Sequence, residues 1–217
     1  MPSFKRHFAG LSKNTFLLAL GSMFADISTE MLYPILPIFL TQTLGASVGV
    51  VGIIEGVAPA VQNITQGVSG WFSDRLHRRK PIALFGYVLA ALSKPLMGLA
   101  TSWPGVLAAR SLDRLGAGTR SAPRDALVAA SVADRDRGKA FGLEGFGDNL
   151  GAFVGPLIAI ALLGVAHVQM RTIFLLALLP GVLAALMLLL VREAPVDVHA
   201  KSKLDLRLVR FPASYWK

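Results

Sequence analysis

Apolar residues fill six long stretches of this chain, at roughly 14–41, 47–73, 81–101, 104–122, 138–165 and 170–191. Each is close to or beyond the roughly 20 mostly apolar residues that a helix needs to cross a bilayer. The pattern predicts an all-α membrane protein with six transmembrane helices. The intervals between the stretches alternate in character. Those near 42–46, 102–103 and 166–169 are short and uncharged, whereas those near 74–80 and 123–137 are strongly charged. Three segments follow: an N-terminus at 1–13, a bundle at 14–191, and a basic tail or interdomain linker at 192–217. The first apolar stretch runs to about Leu40, longer than the roughly 7–15 residues of a cleavable signal core, so it reads as a retained span.

Composition agrees with that reading. Of 217 residues, 53% are hydrophobic and only 16% charged, against about 25% in a soluble domain. The net charge is +9, and the basic residues sit in clusters between apolar runs rather than in any nucleic-acid motif. Membrane orientation therefore explains them better than a nucleic-acid partner. One side of the predicted membrane carries 18 lysines and arginines in segments flanking the spans, and the other side carries Arg171 alone. The positive-inside rule places both termini in the cytoplasm. Trp71 and Trp103 fall near span ends, where indole rings favour the interface. The chain has no cysteine, which excludes disulfides and thiolate chemistry.

Several charges lie inside the predicted spans. Asp26 and Glu30 stand one helical turn apart, with Ser22, Tyr33 and Pro37 on the same stripe. Glu55, Gln62, Gln66 and Ser69 share one face of the second span, and Lys94 sits in the third. The fourth holds Arg110, Asp113 and Arg114, and the fifth begins with Glu144 and Asp148. A charge at the bilayer centre costs about 2.5–3.5 kcal/mol on insertion scales, so these groups face protein or a wet cavity. They mark a solvent-accessible pathway, or else they pair with one another simply to hold the bundle together. Arg110 is a permanent counter-charge, because a guanidinium stays protonated. Glu30, Glu55 and Asp113 are the better proton carriers. Prolines recur within the spans (Pro34, Pro37, Pro59, Pro95, Pro156 and Pro180), and each removes a helical hydrogen bond. Gly147, Gly151 and Gly155 form a small-residue ridge that lets two helix backbones approach closely.

Four of these elements, in order, resemble signatures of the major facilitator superfamily of secondary transporters. Pro34-Ile35-Leu36-Pro37 is similar to the proline pair in the first helix of drug–proton antiporters. Gly70 to Lys80 resembles the loop signature between helices two and three, with His77 in place of the usual Gly. Arg110-Ser111-Leu112-Asp113-Arg114-Leu115-Gly116-Ala117-Gly118 resembles the fourth-helix motif, with Asp113 for Gln and Arg114 for Gly. Gly151 to Pro156 resembles the fifth-helix antiporter motif, with Ala159 and Ile160 for its closing glycines. The resemblance implies the N-terminal half of a twelve-helix transporter with two six-helix halves around a central cavity.

It implies roles as well. Gly70, Asp74, Arg75, Arg78 and Arg79 belong to a cytoplasmic loop latch. Asp26, Glu30, Glu55, Arg110, Asp113 and Arg114 are the transport and proton-coupling candidates. Pro34, Pro37, Gly147, Gly151, Gly155 and Pro156 serve helix packing and gating, with the fifth-helix glycines packing against the other half. The implied partners are a small organic solute, protons, the lipid bilayer of a bacterial inner membrane, and a second six-helix half or a second copy. No cofactor or metal is implied. Family members are about twice this length, so the chain reads as a fragment, a truncated frame or a working half. An intramembrane enzyme is disfavoured, because all four histidines fall outside the spans and no HExxH or GxSxG occurs. A non-transporting sensor or assembly partner is the alternative.

Overall fold

The computed structural model describes residues 10–76 and 78–193. His77, residues 1–9 and most of the basic tail predicted at 192–217 lie outside the described residues. Helix α1 (Lys13–Glu30) starts at Ser12, whose Oγ accepts from the Thr15 amide at 3.2 Å and caps the first turn. The expected continuous span to residue 41 is broken. Turns occupy residues 31–35, followed by the short α2 (Leu36–Ile38) and a π-helical turn (Phe39–Thr43). Pro34 and Pro37 account for the break, since neither can donate a helical hydrogen bond.

The longer helices are α3 (Val48–Leu76), α4 (Arg79–Leu99), α5 (Trp103–Ala130) and α6 (Arg137–Ile160). A 3₁₀ turn (Asp134–Asp136) precedes α6 and a π-helical turn (Ala161–Val165) follows it. The chain ends its described part with α7 (Met170–Leu176) and α8 (Leu178–Leu190). The break between these last two is closed by Ser28, whose hydroxyl donates to the Ala177 carbonyl at 2.6 Å.

Every element among the described residues is helical. Four stretches are long and apolar enough to cross a membrane: Val48–Leu76, Arg79–Leu99, Asp134–Val165 and Met170–Leu190. Helices α1 and α5 differ because they carry the charges. Helix α1 includes Lys13, Asp26 and Glu30 in 18 residues, and α5 includes six charged residues from Arg110 to Asp125.

Helix α5 also corrects the fourth span expected at 104–122 and the charged connection expected at 123–137. The helix continues through Pro123 to Ala130, so Arg124, expected in the connection, is helical, as is Arg120 within the expected span. Both are largely buried and ion-paired with other helices, which is why the helix does not end where the charges begin.

Close backbone approaches organise the bundle. Helix α1 packs on α6 and α8, while α5 packs on α3 and α4. A Cβ on Gly86 of α4 would lie 2.6 Å from the Gly116 carbonyl of α5, and one on Gly116 would lie 2.6 Å from the Ala90 amide. Gly147, Gly151 and Gly155 of α6 lie against the α1 backbone at Ala19, Met23 and Ile27. Within this chain the contact of these three glycines is with α1. Without a hydrophobic force between helices in lipid, such close packing and interhelical polar bonds hold the helices together.

Candidate functional site

Helix α5 is the cationic spine of the bundle. Arg110, Arg114, Arg120 and Arg124 descend one side of it, and carboxylates on three other helices, α1, α3 and α6, reach them. In the upper part, Asp113 is 1% exposed and faces three cations. It accepts a hydrogen bond from Lys94 of α4, and it lies 3.4 Å from both Arg110 and Arg114. Ser93 also donates to it at 3.4 Å. Arg110, 2% exposed, reaches across to Glu55 of α3 at 3.4 Å. Arg114 donates to Gln62 of α3 at 3.1 Å. Two turns further along α3, Ser69 donates to the Gly118 carbonyl at 3.1 Å. The polar stripe on the second span thus faces α5.

The lower part binds α1 and α6. Arg120 lies 3.4 Å from Asp26 and stacks its guanidinium 4.7 Å from the centre of the Tyr87 ring. Arg124 lies 2.9 Å from Glu144 and 3.6 Å from Asp148, and donates to Ser22 at 2.9 Å. Ser22 in turn donates to Glu144 at 3.0 Å. Asp26, Ser22, Glu144 and Asp148 are therefore gathered around two arginines.

Glu30 stands apart from these pairs. It is half-buried and makes no ion pair within 4 Å among the described residues. Asp26, Glu55, Arg110, Asp113 and Arg114 are brought together by direct contacts to α5, whereas Glu30 is an unpaired carboxylate at the end of α1.

The loop candidates are arranged more loosely. Gly70 and Asp74 belong to α3, not to a loop, and a Cβ on Gly70 would meet Ala122 of α5 at 3.2 Å. Asp74 is exposed and 3.9 Å from Arg79, so their pair is solvent-screened and weak. Arg75 lies 5.3 Å from the centre of the Trp71 ring, and Arg78 sits just before α4. The firmer contact here involves Glu193, whose carboxylate accepts from the Arg79 and Lys80 amides at 2.7 and 3.2 Å. Lys80 returns the link through its Nζ, which donates to the Leu189 and Val191 carbonyls at 2.8 and 2.7 Å. The first turn of α4 and the last turn of α8 are thereby clasped together.

Arg120, Arg124 and Glu193 were not among the candidates drawn from the sequence. For the two arginines a signal was present: positions 110, 113, 117, 120 and 124 continue one charged helical face past the point where the apolar run ends. Among the described residues no cluster of His, Asp and Glu is arranged to hold a metal ion.

The model of the Major Facilitator Superfamily matches residues 18–216. An uncharacterized MFS-type transporter of Methanocaldococcus jannaschii is 35% identical over 191 residues, covering 88% of this chain and 48% of that protein. A probable 4-methylmuconolactone transporter of Cupriavidus pinatubonensis is 31% identical over 185 residues, covering 85% and 42% respectively. The chain thus spans about half the length of the curated relatives it matches. Among solved structures, a peptide transporter POT in complex with sulfate superposes with a TM-score of 0.74 at 19% identity, over 87% of this chain and 41% of that one. A bacterial homolog of the human lysosomal transporter Spinster, inward-facing and unoccupied, gives 0.71 at 20% identity, over 85% and 44%. With a family match over nearly its whole length, this chain is a member of the Major Facilitator Superfamily and an integral membrane protein.

Proposed function

We propose that this chain forms six membrane-spanning helices and acts as the N-terminal half of a secondary transporter that moves a small organic solute, coupled to protons, by alternating access. Helices α1 and α5 supply the two spans beyond the four evident by length and composition. Their charges do not bar them from the bilayer, because nearly all meet partners inside the bundle. Both termini face the cytoplasm, as the distribution of basic residues supports. Residues 192–217 then form a basic tail or linker on that side, and the second six-helix unit packs against the open face that carries Glu30 and Glu55. The partners are the solute, protons and the lipid of a bacterial inner membrane.

The observation that carries this reading is the contrast between two arginines held in ion pairs and one carboxylate that makes none. Arg110 and Arg114 already share Asp113, Glu55 and Gln62. Glu30 has no such partner and is half open to the face where a cavity would lie. A carboxylate in that position can take up a proton without dismantling the ion pairs around it. Asp74, Arg75, Arg78 and Arg79 then serve the cytoplasmic latch in contact with the second unit, consistent with the weak pairing they make here. The fully paired groups hold the helices, and Pro34 and Pro37 permit the bend at the end of α1.

The test is proton movement in proteoliposomes carrying the complete reading frame, with an entrapped pH-sensitive dye. A panel of lactones and lipophilic drugs follows from the relatives that transport 4-methylmuconolactone or confer multidrug resistance. At least one solute is expected to shift the internal pH, and Glu30→Gln is expected to abolish the shift while Arg110→Ala abolishes solute flux. Solute flux that leaves internal pH untouched, with wild type and Glu30→Gln equally active, would refute the coupling.

A further inference from the structure

Below the Asp113 layer, a small cavity opens between α1, α4, α5 and α8. It is lined by Ala25 and Thr29 of α1, Tyr87 and Lys94 of α4, Arg120 of α5 and Gly181 of α8. A water centre has about 10 Å³ of room there, close to the threshold for holding a single water. The walls are unusually rich in donors. Arg120 is 7% exposed, yet its Nε and Nη1 have no hydrogen-bond partner among the described residues. Nη2 donates to Asp26 at 3.4 Å, and the face of the guanidinium lies over the Tyr87 ring. Lys94, 1% exposed, uses its Nζ on Asp113 and on Thr29 at 3.3 Å. A buried donor left without an acceptor costs about 1–3 kcal/mol, and more for a charged group.

We propose that this cavity is a binding site for one structural water, which accepts from Arg120 and connects it to the Lys94–Thr29 pair. Charge decides between water and an inorganic anion. In this part of the bundle Lys94, Arg110, Arg114 and Arg120 stand against Asp26, Glu30, Glu55 and Asp113, four cations to four carboxylates. The cluster needs an acceptor but no further negative charge, and the room suits a water better than a hydrated or bare halide. The water joins two side-chain networks. One is Asp26–Arg120, and the other is Lys94–Asp113–Arg110–Glu55. The site stands on these contacts alone and does not depend on proton coupling.

Two measurements test it on the full chain in lipid. A structure at a resolution that shows ordered solvent is expected to contain one isolated peak within hydrogen-bond distance of Arg120 Nη1 or Nε. The same crystals grown in bromide are expected to give no anomalous signal there, and a bromide peak would overturn the assignment in favour of an anion. The second measurement compares Ala25→Thr with Ala25→Val, which add the same shape and differ by one hydroxyl. In a hydrated site the Thr variant supplies an acceptor where the Val variant expels one. The folded-to-unfolded ratio is therefore expected to be about tenfold or more higher for Thr, the effect of one hydrogen bond to a charged group. A Val variant as stable as Thr, together with no solvent peak, would show a dry void and end the proposal. If neither variant folds, the presence or absence of the peak still decides.

Discussion

Replacing Asp113 by Asn tests the organisation of the buried charge layer most directly. Asp113 is 1% exposed and is the common acceptor for Lys94, Arg110 and Arg114. The amide keeps the shape and some hydrogen bonding, but it removes the one negative charge that three cations share. Breaking a buried pair by deleting one partner typically costs about 3–5 kcal/mol, mostly from the charge left behind. Asp113→Asn is expected at the upper end of that range, because only Arg110 has a second carboxylate, Glu55, within 4 Å. Lys94→Met is expected to cost less, about 1.5–3 kcal/mol, the scale of one hydrogen bond to a charged group. Asp113 would then still face two guanidiniums. The double variant should recover part of the Asp113→Asn loss, since one stranded cation has gone, but not all of it, since Arg110 and Arg114 remain. Unfolding by dodecyl sulfate in mixed micelles, followed by circular dichroism, measures each difference. A Lys94→Met cost equal to that of Asp113→Asn, with wild-type stability in the double variant, would mean that Asp113 serves Lys94 alone and that the three-cation account is wrong.

Three further outcomes follow from local geometry. Gly151→Val should abolish folding into the native bundle, because even a Cβ there collides with the Met23 carbonyl, whereas Gly145→Ala, with open space around it, should leave the unfolding transition within about 0.5 kcal/mol of wild type; detergent size-exclusion chromatography and the same denaturation assay distinguish them. His167→Gly should stabilise the turn after the second π-helical segment by up to about 1 kcal/mol, because His167 holds φ at 51°, a region natural to glycine, and a loss of stability on this change would refute strain at that site. Glu193→Ala removes the acceptor for two amides at the start of α4, so amide exchange at Arg79 and Lys80 should accelerate by an amount equivalent to about 0.5–2 kcal/mol, the usual scale for loss of an N-cap.

The apolar pattern located every long helix because hydrophobic length is a property of contiguous residues. It failed where a partner distant in sequence decides the outcome. The end of α5 is one case: Arg124 and Asp125 look like loop residues, yet the helix continues through them, with Arg120 and Arg124 meeting Asp26, Glu144 and Asp148 of α1 and α6. The break after Glu30 is another. Pro34 and Pro37 signalled a kink, but nothing in the local sequence says that turns will occupy residues 31–35. The intramembrane charges were legible as a set, because each is costly in lipid. Their pairing was not, since Asp113 could have faced any of several cations. Lys94 became its partner only through the close approach of α4 and α5 at Gly86 and Gly116.

That dependence gives the glycines and the charges a single logic. An ion pair between two membrane helices forms only if the backbones come near enough for short contacts, and lipid offers little apolar force to bring them there. Gly86 and Gly116 bring α4 to α5 beside Lys94 and Asp113. Gly118 sits against the α3 backbone at Gln62 and Gln66, next to the Arg114–Gln62 bond. Gly147 and Gly151 bring α6 to α1, where Ser22 and Glu144 meet. Each of these three polar contacts thus has a close backbone approach within about a turn of it. A side chain introduced at one of these glycines should therefore act twice, first by displacing a helix and then by stranding the charges that the displacement separates. Helix α5 takes part in two of these three approaches and carries partners for Asp26, Glu55, Asp113, Glu144 and Asp148. Any rearrangement that alters its contacts with α3 and α4 at one end must be accommodated by α1 and α6 at the other.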